Sequence, residues 1–221
     1  MNVFEAIRQR HSTRAFLKKD VAIEKVNRIL DSARYSPSGA NTQPWQVAVI
    51  SGESKNKLQF DIEQAFQSGE PSQISYKYYP VTWKPAYKNR RHLCGLQLYQ
   101  SLNIARADSE ARKAQWAANY RAFDAPIMLL FFIDKEMETG SFLDYGMFLQ
   151  SVMLAAVEEG LATCAQAALA EYPQIAQKTL GYAEDTTLIC GMALGYEDLE
   201  ADVNKYRTPR EAVENFTQYF D

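Results

Sequence analysis

Two kinds of hydrophobic pattern run along the chain. Residues 2 to 9 place Val3, Phe4 and Ile7 on one face of a short helix, and after Asp20 the positions Ile23, Val26, Ile29, Leu30 and Ala33 repeat at amphipathic helical spacing. The second helix must stop before Pro37, whose ring disfavours helical geometry in the preceding residue. Val47–Ile50 reads as a short buried strand and residues 54 to 67 as a third helix. Pro126–Asp134 is continuously apolar and predicts a strand without a wet face. Residues 142 to 159 predict a long helix ending at Gly160. Its Leu143, Met147, Phe148, Val152, Met153, Leu154 and Val157 point in several directions, so it must be buried on more than one side. In a chain of this size a second subunit can supply that second side. Pro173 opens a further helix that Gly181 closes, and Thr187–Leu194 reads as another buried strand.

Helices, strand, helix, long insert, strand, helix and strand lack the regular alternation of a doubly wound fold. The order predicts an α+β or mixed-sheet sandwich. Neither G-x-G-x-x-G nor G-x-x-x-x-G-K-[ST] is present. No linker or repeat divides residues 1–221, so one domain is expected, with an insert at about 76–124. That insert is aromatic at first (Tyr76, Tyr78, Tyr79, Trp83, Tyr87) and then helical and charged.

Composition narrows the chemistry. With 47% hydrophobic residues in 221, the chain buries a core without staples. A net charge of −3, with Lys and Arg interleaved among Asp and Glu, offers no field for nucleic acid or an anionic membrane. Glu5, Arg8 and Arg10 argue against a signal peptide, and the apolar run Pro126–Ile133 is far below the roughly 20 residues of a membrane span. Cys94, Cys164 and Cys190 have no metal-like spacing, which suits a reduced, cytoplasmic protein and no metal site. Only His11 and His92 are available for acid–base or nucleophilic pairs, and nothing orients a Cys164–His92 pair. With so few such groups, the hard chemistry is expected to belong to a cofactor.

Three segments are candidates for holding one. Ser36-Pro37-Ser38-Gly39-Ala40-Asn41-Thr42-Gln43-Pro44-Trp45 is a rigid, backbone-rich turn that Trp45 anchors at its exit. Arg10-His11-Ser12-Thr13-Arg14 follows the first helix, where cations also simply favour the helix dipole. Lys205-Tyr206-Arg207 lies near the C-terminus, where it also reads as an ordinary basic tail. In this order the three resemble the motifs of the nitroreductase family of FMN-dependent flavoproteins: Arg-x-Ser-x-Arg/Lys, Pro-Ser-x-x-Asn-x-Gln-Pro-Trp, and a C-terminal Lys-x-Arg. The likeness runs from Phe4 to about Val213.

The resemblance implies an α/β/α sandwich with a mixed, mainly antiparallel sheet, in a domain-entwined homodimer with FMN sites at the subunit interface. It implies that Arg10, Ser12, Lys205 and Arg207 grip the FMN phosphate, at roughly 1.5–3 kcal/mol per charge-assisted bond. His11 falls inside the first motif, and Arg14 is expected at the ribityl chain or pyrimidine edge. Pro37, Ser38, Gly39 and Asn41 would contact the FMN held mainly by the other subunit. Ala165, Gln166 and Ala167 would run along the flavin edge, the Gln166 backbone N–H pointing at N5. Ala165 stands where many relatives have proline, and Cys164 reads as a packing residue. Tyr79, Trp83, Tyr87 and Arg90 are candidates for covering the flavin face against a small aromatic substrate, or for packing the insert onto the sheet.

The implied activity is transfer of hydride from NADH or NADPH, through flavin N5, to nitroaromatic or quinone-like acceptors by a ping-pong mechanism, with no catalytic side chain. The alternatives are a flavin-binding or storage protein without turnover, or another family chemistry: flavin fragmentation, reductive dehalogenation or dehydrogenation.

Overall fold

A computed structural model describes all 221 residues. Four strands, β1 (Gln46–Ile50), β2 (Ile127–Asp134), β3 (Ala162–Gln166) and β4 (Thr186–Gly195), form one sheet in the order β1-β2-β4-β3. Every strand pair is antiparallel, in keeping with the expected mainly antiparallel sheet. The one parallel pairing is an isolated bridge, Ser12 to Thr163, on the outer edge of β3.

β2 is apolar throughout because both its faces are covered. Met128, Leu130 and Phe132 pack with Leu58, Ile62 and Ala176 beneath α3 (Gly52–Gln67) and α7 (Pro173–Leu180). Leu129, Phe131 and Ile133 pack with Val26, Ile29, Tyr145, Phe148 and Val152 of α2 (Ile23–Ala33) and α6 (Thr139–Glu158). The period-two alternation of one strand thus supplies both layers of an α/β/α sandwich, each fully buried side chain contributing roughly 1.5–3 kcal/mol.

Other elements depart from expectation. β1 is an edge strand in which only Ile50 is buried, because nothing pairs with its second edge. β3 carries the unpatterned sequence Ala-Thr-Cys-Ala-Gln and is a strand because β4 templates it. Asn2 and Glu5 form a capping box for α1 (Val3–Gln9), yet Val3, Phe4 and Ile7 face outward and only Ala6 is buried. α6 begins three residues before the expected start. It buries Tyr145, Phe148, Val152 and Ala156 on one face and leaves Leu143 and Met147 exposed on another. It is the one helix long and apolar enough to cross a bilayer by length and composition. The insert folds into α4 (Pro85–Ser101) and α5 (Ser109–Ala117).

One close approach shapes the site. Gly191 of β4 lies opposite Gln166 of β3, and the 3-10 turn Ala167–Ala170 folds back over it. A Cβ at 191 would stand only 2.8 Å from the Leu169 Cβ and 2.9 Å from Leu130 Cδ2. Glycine therefore lets the chain after β3 lie flat on the sheet.

Candidate functional site

After α1 the chain runs alongside β3, held where the Thr13 N–H donates to the Thr163 carbonyl at 3.0 Å. Extended backbone sends alternate side chains to opposite sides. His11 and Thr13 turn toward Glu197: His11 Nε2 lies 2.7 Å from Glu197 Oε1 and 3.3 Å from Thr13 Oγ1, and Nδ1 lies 3.0 Å from the Gln9 carbonyl. The His11 ring thus braces the N-terminal segment against the end of β4 and is not brought to the cation cluster. Arg10, Ser12 and Arg14 flank Cys164. Burial pushes the Cys164 thiol up, against the opposing influence of Arg14, Ser12 and Arg10, so it is a packed thiol and no nucleophile.

Buried Asn204, in α8 (Asp202–Lys205), ties the C-terminal segment to this one. Its Oδ1 accepts the Arg14 N–H at 2.8 Å, and its Nδ2 donates to the carbonyls of Ala15 at 2.8 Å and Asp198 at 2.9 Å. The partners of the expected C-terminal cations are then distinct. Lys205 is paired with Asp202 at 3.1 Å, which raises its pKa, and it lies on the surface. Arg207 donates to the carbonyls of Asn204 at 2.6 Å and Tyr206 at 3.0 Å. Arg210, absent from the expected set, is the cation whose charge bears on Arg10. Half-buried Arg10 forms neither an ion pair nor a side-chain hydrogen bond, and burial, with Arg210 adding to it, lowers its pKa. The Tyr206 hydroxyl, close to Arg14, is buried without a partner, and burial raises its pKa. A guanidinium without a carboxylate partner and a nearby unpartnered hydroxyl have the donor chemistry that suits an anion.

Beyond Cys164, β3 exposes Ala165 and buries the Gln166 side chain, whose Nε2 donates to the Asn119 carbonyl at 2.9 Å and to Asn119 Oδ1 at 3.1 Å. Its Oε1 is buried without a partner. Ala167 then borders a cavity of about 460 Å³, walled also by Ile74, Tyr76, Tyr78, Tyr79 and Glu171. Glu171 accepts the Tyr120 hydroxyl at 2.5 Å, and its carbonyl accepts the Gln73 N–H at 2.8 Å, which fastens the aromatic segment to the sheet. Burial raises the Glu171 pKa against the opposing Tyr120 hydrogen bond. Tyr76 donates to the Ile189 carbonyl and meets Phe142 edge-on at 5.4 Å.

The Ser36–Trp45 turn leans on α6. The Gly39 N–H donates to Asp144 Oδ2 at 3.0 Å, the Ser36 hydroxyl to Ser151 Oγ at 2.8 Å, and Trp45 stacks on Phe148 at 4.7 Å. Ser38 Oγ caps the Gln43 N–H at 2.9 Å. Pro37, Gly39 and Asn41 are exposed, and no hydrogen bond joins this turn to the cation cluster within one chain.

In the insert, Arg90 is taken up by Glu211 at 2.8 Å and lies over Tyr87 at 5.3 Å. Arg91 has no carboxylate partner and lies 5.2 Å from the ring centres of both Tyr79 and Trp83. Tyr79 links the two features, since it also walls the cavity.

The nitroreductase family model matches residues 7–196. The chain belongs to the nitroreductase family. It is 35% identical to a 4-nitrobenzoate reductase of Pseudomonas putida over 98% of this chain and 95% of that protein. It is 34% identical to a nitrobenzene nitroreductase of Ectopseudomonas oleovorans over 97% of this chain and 95% of that protein. Its structure superposes with a TM-score of 0.97 on the FMN and NADPH-dependent nitroreductase NfnB from Sphigopyxis sp. strain HMH, which is 37% identical, with both chains covered completely. Asn204, Arg210 and Asn119, which the fold brings to these segments, carry no signal in the sequence reading. A buried asparagine has no signature in one sequence, and Arg210 falls outside the Lys-x-Arg motif. No group of three or more His, Cys, Asp or Glu side chains is placed to hold a metal ion.

Proposed function

We propose that this nitroreductase is an FMN-dependent oxidoreductase that passes hydride from NADH or NADPH to nitroaromatic or quinone-like acceptors. The observation that carries the proposal is the half-buried, unpaired Arg10 beside Arg210, set along β3 with Ser12 and Arg14. Two like charges gathered without a counterion fit a phosphate. Arg10, Ser12, Arg207 and Arg210 would hold it, with Arg14 at the ribityl chain or pyrimidine edge; Lys205 would join only by leaving Asp202. Ala165, Gln166 and Ala167 would follow the ring edge, the Gln166 N–H directed at N5. FMN held by these residues would supply the hydride-transfer chemistry between the nicotinamide and the acceptor. The cavity beside Ala167, about 460 Å³, would seat one flat ring at a time between Tyr79 and the ring edge, so reductant and acceptor bind in turn.

The site would be completed by a second copy of the chain, which brings Pro37, Ser38, Gly39 and Asn41. Two observations support this: the turn makes no hydrogen bond to its own cation cluster, and Val3, Phe4, Ile7, Leu143 and Met147 leave apolar faces of α1 and α6 open. Three free cysteines suit a reducing compartment such as the cytoplasm.

Purified protein should be a yellow dimer in sedimentation, with one FMN per chain, and should oxidise NADH or NADPH steadily when a nitroarene is added. Tight FMN binding without turnover would leave only a flavin-binding protein, and a colourless protein that ignores added FMN would end the proposal.

A further inference from the structure

The cavity beside Ala167, about 460 Å³, has a single carboxylic acid among the residues that line it, Glu171. Most of the wall comes from residues 72 to 79, and the stretch from 71 to 107 contains no Asp or Glu. Glu171 enters instead at the end of the Ala167–Ala170 turn. No cation is paired with it, and the side chains that bond to it are neutral.

The hydrogen bonds behind Glu171 run in one direction. The Trp116 indole N–H can only donate, and it donates to the Tyr120 oxygen at 3.0 Å. Tyr120 must therefore donate its own hydrogen, which goes to Glu171 Oε2 at 2.5 Å. Oε2 is committed as an acceptor, so a proton on this carboxyl sits on Oε1, which has no hydrogen-bond partner within the protein. Burial raises the Glu171 pKa, against the opposing hydrogen bonds from Tyr120 and Trp116. The other titratable groups around it are Tyr172, next in the chain, and Lys77, Tyr76, Tyr78 and Tyr79 of the cavity wall. Asn119, beside Tyr120, also holds the Gln166 side chain at 2.9 and 3.1 Å. One short segment thus fixes both this acid and the residue expected at flavin N5.

The proposed reaction needs such a group in one of its halves. Converting a nitroarene to a nitrosoarene breaks one N–O bond, takes up two electrons and two protons, and releases water. Hydride carries both electrons and one proton, so the departing oxygen needs a further proton. Passage of hydride from nicotinamide to flavin needs none. We infer that Glu171 is the general acid of nitro reduction: its Oε1 proton passes to the departing oxygen of an acceptor seated in the cavity. Water leaves, and solvent returns a proton to the carboxylate. Glu171 is then a catalytic side chain where none was expected. The assignment rests on the nitroarene-reducing function proposed above and names its proton donor.

Anaerobic stopped flow on FMN-loaded wild type, Glu171→Gln and Tyr120→Phe separates the two halves. Glu171→Gln keeps an acceptor for Tyr120 and loses the proton. Its reduction by NADPH should be unchanged, while its reoxidation by nitrobenzene should slow by about 10²- to 10⁴-fold. Wild-type reoxidation should fall as pH rises through the Glu171 pKa, and the glutamine variant should lose that dependence. Tyr120→Phe removes a donor that favours the ionised carboxyl, so the same fall should move to higher pH, which lost packing alone does not cause. Infrared spectra of oxidised, substrate-free protein are independent of turnover: a protonated-carboxyl band should persist above pH 4.5 in wild type and be missing from Glu171→Gln. Equal slowing of both halves, no slowing of either, a missing wild-type band, or an unshifted profile in Tyr120→Phe overturns the inference. If Glu171→Gln loses FMN, the Tyr120→Phe profile decides. A wild type that NADPH reduces but no nitroarene reoxidises overturns the proposed reaction and this role with it, whereas an active wild type matched by Glu171→Gln overturns this role alone.

Discussion

Arg10 and Arg210 come from opposite ends of the chain and lie close enough for the charge of one to lower the pKa of the other, with no carboxylate paired to Arg10. Repulsion of this kind persists in a folded protein when something else is stabilised by it. The relationship yields a prediction with opposite signs in the two forms. Arg210→Gln should raise the melting temperature of flavin-free protein, because a like charge is removed. The same change should weaken FMN by about 10- to 100-fold, the loss of one charge-assisted contact. Thermal melts of the stripped protein and flavin-release titrations measure the two effects. A variant unchanged in both would place the phosphate elsewhere.

The cation cluster shows how far the sequence could be read. Arg10, Ser12 and Arg14 were legible because alternate positions in an extended segment share a side, and β3 supplies the neighbour that makes the segment extended. The same alternation, applied strictly, would have set His11 apart, since it must face the other way. β3 was invisible because Ala-Thr-Cys-Ala-Gln has neither alternation nor β-branched density; the pairing with β4 alone makes it a strand. β1 was seen but taken as buried, because four apolar residues look alike on an edge or in a centre. The acid-free stretch from 71 to 107 was readable and was concealed by averaging charge over the whole chain.

Glu171 makes stability depend on pH in an identifiable direction. Its folded-state pKa is raised above the ordinary 4.5, by burial first. The folded protein therefore holds this proton more tightly than the unfolded chain. Its contribution is fully present below about pH 4.5 and is lost as pH rises through the raised value. Glu171→Gln keeps an acceptor for the Tyr120 hydroxyl and removes the ionisation. Melting temperatures measured upward from pH 4.5 should then fall less steeply in the variant than in wild type. Parallel profiles would show that Glu171 titrates as if exposed.

The Ser36–Trp45 turn holds Ala40 at φ 49° and ψ 24°, a left-handed conformation that disfavours a residue with a Cβ. Ala40→Gly should relieve that strain and stabilise the protein by about 0.5–1 kcal/mol, or roughly 1–4 °C for a chain of this size. If the turn serves a partner's FMN, the looser backbone should at the same time hold flavin less firmly. Greater heat resistance with unchanged flavin affinity would make the turn structural only.

Gly191 and Leu169 should behave as one unit. A methyl group at 191 would stand 2.8 Å from the Leu169 Cβ and 2.9 Å from Leu130 Cδ2, closer than packed carbon atoms approach. Because Leu169 belongs to the turn after β3, the overlap can be relieved only by lifting the Ala167–Ala170 segment off β4 or by distorting the core around Leu130. Gly191→Ala should therefore cost about 1–3 kcal/mol, and Leu169→Ala alone about 2–5 kcal/mol through the cavity it leaves. The atom nearest such a methyl is Leu169 Cδ1, which alanine at 169 removes while its Cβ stays, so the double variant relieves the worst of the overlap and the combined cost should fall below the sum of the two by at least about 0.5 kcal/mol. Denaturant melts of the four proteins close this cycle. The turn also carries Ala167 to the cavity wall, so Gly191→Ala should weaken FMN and the double variant should regain part of that loss. Strict additivity in stability would mean that the sheet accommodates residue 191 by moving elsewhere, and that glycine is not what brings this turn down onto β4.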